Sequence, residues 1–190
     1  MSYFKTIWGK ISDTVARAVR IDASTHAMET IEYEHHEIHS GSSFTVADTV
    51  VADTATVKWQ VTTPDSTKYA HLVFTLTCTG EATFLVTEGS DRDDGVALTE
   101  VNRRRVGVPT AATVIVTRTP DGGSTDGAII LFSMRNGITN VAGKNIEGGS
   151  ARATNEWVLA PNTKYVISIT TYAAGYATCL LDWYEHTDKN

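Results

Sequence analysis

A mainly β fold, an antiparallel β-sandwich of jelly-roll type with an N-terminal amphipathic helix, follows from three observations. From residue 44 onward the chain runs through nine short stretches that alternate apolar and polar side chains. Threonine, valine, isoleucine and tyrosine fill those stretches, with 29 threonines in 190 residues, and such residues suit half-buried strands. Turn formers then divide them: Pro64-Asp65, Pro120-Asp121-Gly122-Gly123, Gly148-Gly149 and Pro161-Asn162.

Taken in order, Phe4, Ile7, Trp8, Ile11, Val15 and Val19 recur at spacings of three and four and mark one face of a helix. Residues 1–20 are therefore read as a helical arm, packed on its own sandwich or docked on a neighbouring subunit; a membrane-surface helix is the third alternative, disfavoured by its few basic residues. Residues 21–43 connect the arm to the sandwich, and Gly41 breaks the polar run before it. The sandwich occupies 44–190, with strands expected at 44–48, 55–62, 69–79, 82–87, 112–118, 128–134, 156–159, 165–171 and 177–184. Val57, Trp59 and Val61 face one way, as do Leu72, Phe74, Leu76 and Cys78. Segments 88–109 and 135–155 read as surface loops.

A chain of 190 residues can bury roughly 70% of the surface its unfolded form exposes, so neither a disulfide nor a metal is needed to fold it. A net charge of −6 opposes general nucleic-acid binding, which calls for a basic stripe. No apolar run is long enough to span a bilayer, and no signal-peptide pattern is read. Cys78 and Cys179 lie in apolar strand patterns and read as buried thiols, although the sequence leaves open whether they pair.

The candidate sites are few. His35, His36 and His39 sit in the run Glu32-Tyr33-Glu34-His35-His36-Glu37-Ile38-His39. On a helix His35 and His39 could share a metal ion, whereas on a strand they stand about 13 Å apart. The spacing misses H-E-x-x-H by one residue, and a hydrogen-bonded subunit contact is the favoured reading, with no metal. The acidic loop 88–95 falls short of a calcium-binding loop, because the twelfth position counted from Asp91 is Asn102 rather than Glu. Arg103, Arg104 and Arg105 form a short basic patch without interleaved aromatics. Guanidinium forks of this kind suit carboxylates on a neighbouring subunit, and the acidic loop of another copy is one possible partner. No nucleophile elbow and no cysteine beside a base is present, so no catalytic residue and no cofactor is assigned and the chain is not read as an enzyme.

The stretch from Ile21-Asp22-Ala23-Ser24-Thr25-His26-Ala27 into Tyr33-Glu34-His35-His36-Glu37-Ile38-His39-Ser40-Gly41 resembles the opening of a family of tailed-bacteriophage virion proteins encoded beside the major capsid gene. Glu88-Gly89 leading to Asn102-Arg103, Glu156-Trp157-Val158-Leu159 through Tyr165, and the terminal Trp183-Tyr184-Glu185-His186-Thr187-Asp188-Lys189 agree with it. The likeness runs from about residue 21 to the end. It implies a capsid decoration or cement protein on the virion head, assembled in the host cytoplasm. Its partners would be the major capsid protein and copies of itself, with no nucleic acid and no membrane. On that view Tyr3, Phe4, Ile7, Trp8, Ile11 and Val15 would bury apolar surface against the shell, and His35, His36, His39 and Arg103–Arg105 would serve subunit contacts. The alternatives are a carbohydrate- or receptor-binding sandwich of the tail or fibre, with Tyr172 and Tyr176 as exposed aromatics, and a head–tail connector component.

Overall fold

The computed structural model describes residues 8–10, 16–18, 33–137, 145–149 and 156–187. The chain divides into two compact units, Met1–His36 and Glu37–Asn190. In the first unit, β1 (Trp8–Lys10) and β2 (Ala16–Ala18) form an antiparallel ribbon with Trp8 opposite Ala18 and Lys10 opposite Ala16. At these positions the ribbon replaces the expected helix. Gly9 weakens a helix interior by about 1 kcal/mol relative to Ala, and Ser12-Asp13 is a turn-forming pair. The other arm positions, Tyr3, Phe4, Ile7, Ile11 and Val15, lie outside the described residues.

Next in chain order comes α1 (Tyr33–Ser40). The histidine run is thus helical, not extended. Its end is fixed by Gly41 at φ +82°: the Gly41 N–H donates to Ile38 O at 3.1 Å and the Ser42 N–H to Glu37 O at 3.1 Å. These are the two reverse bonds of a glycine-terminated helix, and they satisfy carbonyls that the last turn leaves open.

The second unit is built from β3 (Ser43–Ala52), β4 (Thr56–Thr62), β5 (Lys68–Thr79), β6 (Ala82–Glu88), β7 (Val96–Ala97), β8 (Val101–Asn102) and β9 (Ile115–Arg118). It continues with β10 (Ile129–Asn136), β11 (Asn145–Gly149), β12 (Trp157–Leu159), β13 (Lys164–Thr171) and β14 (Gly175–Thr187). One sheet has the order β10-β6-β13-β4-β9-β7; the other has the order β11-β5-β14-β3-β8, with β12 also on β5. Every pairing is antiparallel.

The order has a simple logic. First and last strands pair (β3 with β14), the next inward pair likewise (β4 with β13), and β5 and β6 then lie against β14 and β13. Strands β10 and β11 close the two outer edges on β6 and β5. This is the jelly-roll wrapping, in which a long hairpin folds over itself so that each end strand finds its partner. Short strands β7, β8 and β11 lie inside segments that read as loops.

Between the sheets lies one core. Trp59, Trp183, Tyr165, Phe44, Phe84, Leu76, Ile167, Ile169 and Leu181 are its largest fully buried side chains. Phe44 stacks on Trp183 at 5.7 Å between ring centroids, and Phe74 meets Phe132 edge-on at 5.4 Å, arrangements that aromatic quadrupoles favour. Period-two alternation puts threonines on the outer faces, where Thr49 meets Thr178 at 2.9 Å and Thr56 meets Thr170 at 2.8 Å across strand pairs. Cys78 and Cys179 are both free and buried. They sit on adjacent strands, Cys78 opposite Ala177 and Cys179 opposite Leu76, and burial raises both thiol pKa values. No helix among the described residues is long and apolar enough to cross a membrane.

Candidate functional site

The arginine run does not continue a strand. After β8 pairs Phe44 with Asn102, the chain leaves the sheet and returns to the core at Ala112, which packs against it, and Val114, which is buried. The excursion is held at its stem by two buried polar side chains. Asn102 is 4% exposed; its amide donates to Gly41 O at 2.8 Å and Thr110 O at 2.9 Å, and its carbonyl accepts from the Arg104 N–H at 2.8 Å. The loop 104–110 is thereby closed by a single residue.

Glu185, at 5% exposed, holds the return. Its carboxylate accepts from the Thr113 N–H at 2.9 and 3.0 Å, the Thr113 hydroxyl at 2.5 Å, the Val114 N–H at 3.0 Å and the Trp183 indole N–H at 3.1 Å. A buried carboxylate is costly unless hydrogen-bonded, and this one meets that condition with donors from the strand β14 and from the loop that precedes β9.

The tip is the opposite in character. Val106 is 79% and Val108 97% exposed, on either side of Gly107 at φ +84°. Arg104 and Arg105 are exposed beside them, and Arg103 pairs with Asp182 on β14. Arg104 also runs past the end of α1, where a methyl group placed on Gly41 would lie 3.6 Å from its Cδ. The structure therefore brings the end of the histidine run (His39, Ser40, Gly41) next to the arginine run, two motifs some sixty residues apart in sequence. A pocket of about 150 Å³, lined by Ser40, Ser42, Lys68, Thr110 and Glu185 among others, lies at this junction. His36 and His39 are exposed on α1, and the helix places His35 and His39 one turn apart in the backbone. Among the described residues no group of three or more His, Cys, Asp or Glu could hold a metal ion.

The acidic loop is a largely exposed turn. It folds against the loop 120–127, and its Asp91 and Asp93 carboxylates are engaged within the chain. Asp91 accepts from Thr125 N at 2.7 Å, Ser124 N at 2.8 Å and the Ser124 hydroxyl at 2.9 Å, and these bonds, that of Thr125 foremost, lower its pKa. Asp93 pairs with Lys164. Asp126 receives Lys58 at 2.6 Å and Arg92 at 2.8 Å. Burial alone would raise its pKa, but the two cations outweigh burial and leave it lowered. Neither a calcium ion nor the arginines of another copy would find Asp91, Asp93 or Asp126 uncommitted. Gly123 is required for this packing, since a Cβ there would lie 2.3 Å from Asp91 O.

The tyrosines singled out as aromatic platforms also differ from each other. Tyr172 is covered on one face by Arg135, whose guanidinium carbon is 4.5 Å from the ring centroid and which is itself held by Glu81 at 2.7 Å. Tyr176 is 56% exposed. Asn102, Asp182, Glu185, Val106 and Val108 were not singled out from sequence. For the valines a signal existed, two apolar side chains in the Gly/Pro-containing run Val106-Gly107-Val108-Pro109; for the anchors there was none, because their partners are distant in the chain.

Against protein-family models, curated proteins and solved structures, the chain has no match.

Proposed function

We propose that this chain is a structural protein of the tailed-bacteriophage virion, a capsid decoration or cement protein that binds the head shell and stabilises it. The observation that carries this reading is the loop 104–110: a rigidly tied stem presenting two exposed valines beside two exposed arginines. Soluble proteins scatter single apolar residues over their surface, but a preorganised protrusion that pairs apolar tips with guanidinium groups is built for contact. The motif resemblance supplies the identity of the partner.

Covering Val106 and Val108 supplies about 1.5–3 kcal/mol each, and the stem lowers the ordering cost that a free loop would carry. A single contact of this size is weak. Many copies seated on a repeating lattice make it firm, because each neighbour raises the effective concentration of the next. Arg104 and Arg105 favour an acidic rim around the receiving pocket and speed encounter.

The test is co-sedimentation of the purified chain with heads of the phage that encodes it, comparing wild type with Arg104→Glu/Val106→Asp. The wild type pellets with heads and the variant stays in the supernatant with an unchanged far-UV spectrum. Equal binding by both proteins would remove the loop from the interface.

A further inference from the structure

Arg103-Arg104-Arg105 is the only place in the chain where lysines or arginines stand side by side. Its first member is committed: Arg103 is half-buried, pairs with Asp182 and donates its N–H to Ser43 O at 2.9 Å. Arg104 and Arg105 instead begin a run of eight exposed residues, 104–111, the longest such run among the described residues. Lys58, Arg92, Arg103, Arg118, Arg135 and Lys164 are each ion-paired with a carboxylate. Arg104 and Arg105 have no such partner among the described residues.

The backbone is as open as the side chains. Asn102 holds the Arg104 N–H at 2.8 Å and Thr110 O at 2.9 Å, but between them no N–H from Arg105 to Val108 donates to another described group. A stretch tied at both ends and unbonded in the middle opens locally without breaking the domain, which is the condition for proteolytic nicking. Val106, rather than proline, follows Arg105, so the bond between them is an ordinary secondary amide. A serine protease with carboxylates in its pockets takes two adjacent guanidinium forks, here those of Arg104 and Arg105.

Strand order sets what such a cut leaves behind. Strands β3 to β8 precede the loop and β9 to β14 follow it. Of the ten strand pairings in the two sheets, nine join a strand from before the loop to one from after it, and only β3 with β8 does not. The core is shared in the same way: Phe44, Trp59 and Phe84 come from one part, Tyr165, Ile167 and Trp183 from the other. Asn102 itself reaches past the cut to Thr110 O. Neither part can leave without dismantling both sheets.

We infer that the Arg105–Val106 bond is a processing site for a serine protease that reads paired arginines, and that its cleavage gives a nicked, still-folded sandwich of residues 1–105 and 106–190. Water is added across the bond. The link from the Arg105 carbonyl carbon to the Val106 nitrogen breaks, Arg105 ends in a carboxylate and Val106 begins with an α-amino group. The closed loop becomes two free ends while the sheets keep every pairing. This inference is independent of what the loop docks to.

The test treats the full native chain, and separately a synthetic peptide spanning residues 100–112, with a subtilisin-type endoprotease specific for paired basic residues. Intact-mass spectrometry and size-exclusion chromatography read the products. The native chain should be cut at a rate within about tenfold of the peptide, giving a fragment that begins at Val106. The two fragments should elute together at the volume of the uncut chain and separate on a denaturing gel. Arg104→Gln/Arg105→Gln should lose the cut with Tm unchanged, since both side chains are exposed. A native chain that resists while the peptide is cut overturns the inference, as does resistance of both. Fragments that begin at Arg104 or Arg105, fragments that part on the column without denaturant, or a double variant still cut at the same bond would each overturn it too.

Discussion

Replacing Glu185 by alanine is the most informative single change, because one carboxylate holds the return of the loop 104–110, the last strand and a core tryptophan together. The variant leaves the Thr113 N–H, the Val114 N–H and the Trp183 indole N–H without the acceptor they now share at 2.9–3.1 Å. A buried donor left unpaired costs about 1–3 kcal/mol. Thr113 is exposed and recovers part of its loss from water, whereas Val114 and Trp183 are buried. The expected destabilisation is about 3 kcal/mol, which for a domain of this size lowers Tm by roughly 6–12 °C. Urea unfolding followed by tryptophan fluorescence measures the loss, and hydrogen exchange should show the amides of 103–114 opening faster while those of β13 stay protected. A loss under about 1 kcal/mol with an unchanged m-value, or unaltered exchange at 103–114, would falsify the anchoring role.

Other outcomes follow from the same geometry. Val106→Ser/Val108→Ser should change stability by less than about 0.5 kcal/mol, since both side chains already face solvent; a large loss in urea unfolding would show that they pack within the chain. Gly123→Ala should cost about 1–3 kcal/mol, because the left-handed backbone and the approach to Asp91 O both exclude a Cβ, and unaltered thermal unfolding would contradict this. Asp126 is held below its ordinary value of 3.8, so its contribution is full above that value and is lost as pH falls through the lowered one. Asp126→Asn should therefore flatten the acid limb of the stability profile below about pH 4 and leave its neutral limb parallel to that of wild type. Finally, Cys78 and Cys179 should react with a thiol reagent at about pH 8 only after unfolding, because burial raises both thiol pKa values; rapid labelling of the native chain would place a thiol at the surface.

The strands were legible because burial on one face imposes a period of two. Leu72, Phe74, Leu76 and Cys78 face inward as their alternation required, and the same holds for Val57, Trp59 and Val61. β3 was underestimated, since the expected strand ended at residue 48 but the chain continues to pair with β14 as far as Ala52. The short strands β7, β8 and β11 carry too few alternating positions to stand out from the loops around them.

The sequence left the histidine run open between helix and strand for a physical reason. Ile31, Tyr33, His35, Glu37 and His39 mimic a two-residue period, and the segment has no apolar stripe to reveal a helix; the reverse bonds at Gly41 and Ser42 mark its end instead. In the arm, spacings of three and four suggested a helix, yet Gly9 lies within it and Trp8–Lys10 pair as a strand. Of the candidate contact residues, the arginine triplet was visible as a charge run. Its setting was not, because Asn102 and Glu185 reach partners 61 and 72 residues away, and no local pattern encodes a buried side chain's distant acceptor or donor.

For the proposed virion role, the most direct measurement is side-chain-resolution density for intact phage particles assembled with this chain. The account predicts many symmetry-related copies on the outside of the head, with Val106 and Val108 covered by the shell protein and Arg104 and Arg105 against its carboxylates. Particles that lack the chain, or that carry it with the loop 104–110 in open solvent, would contradict it.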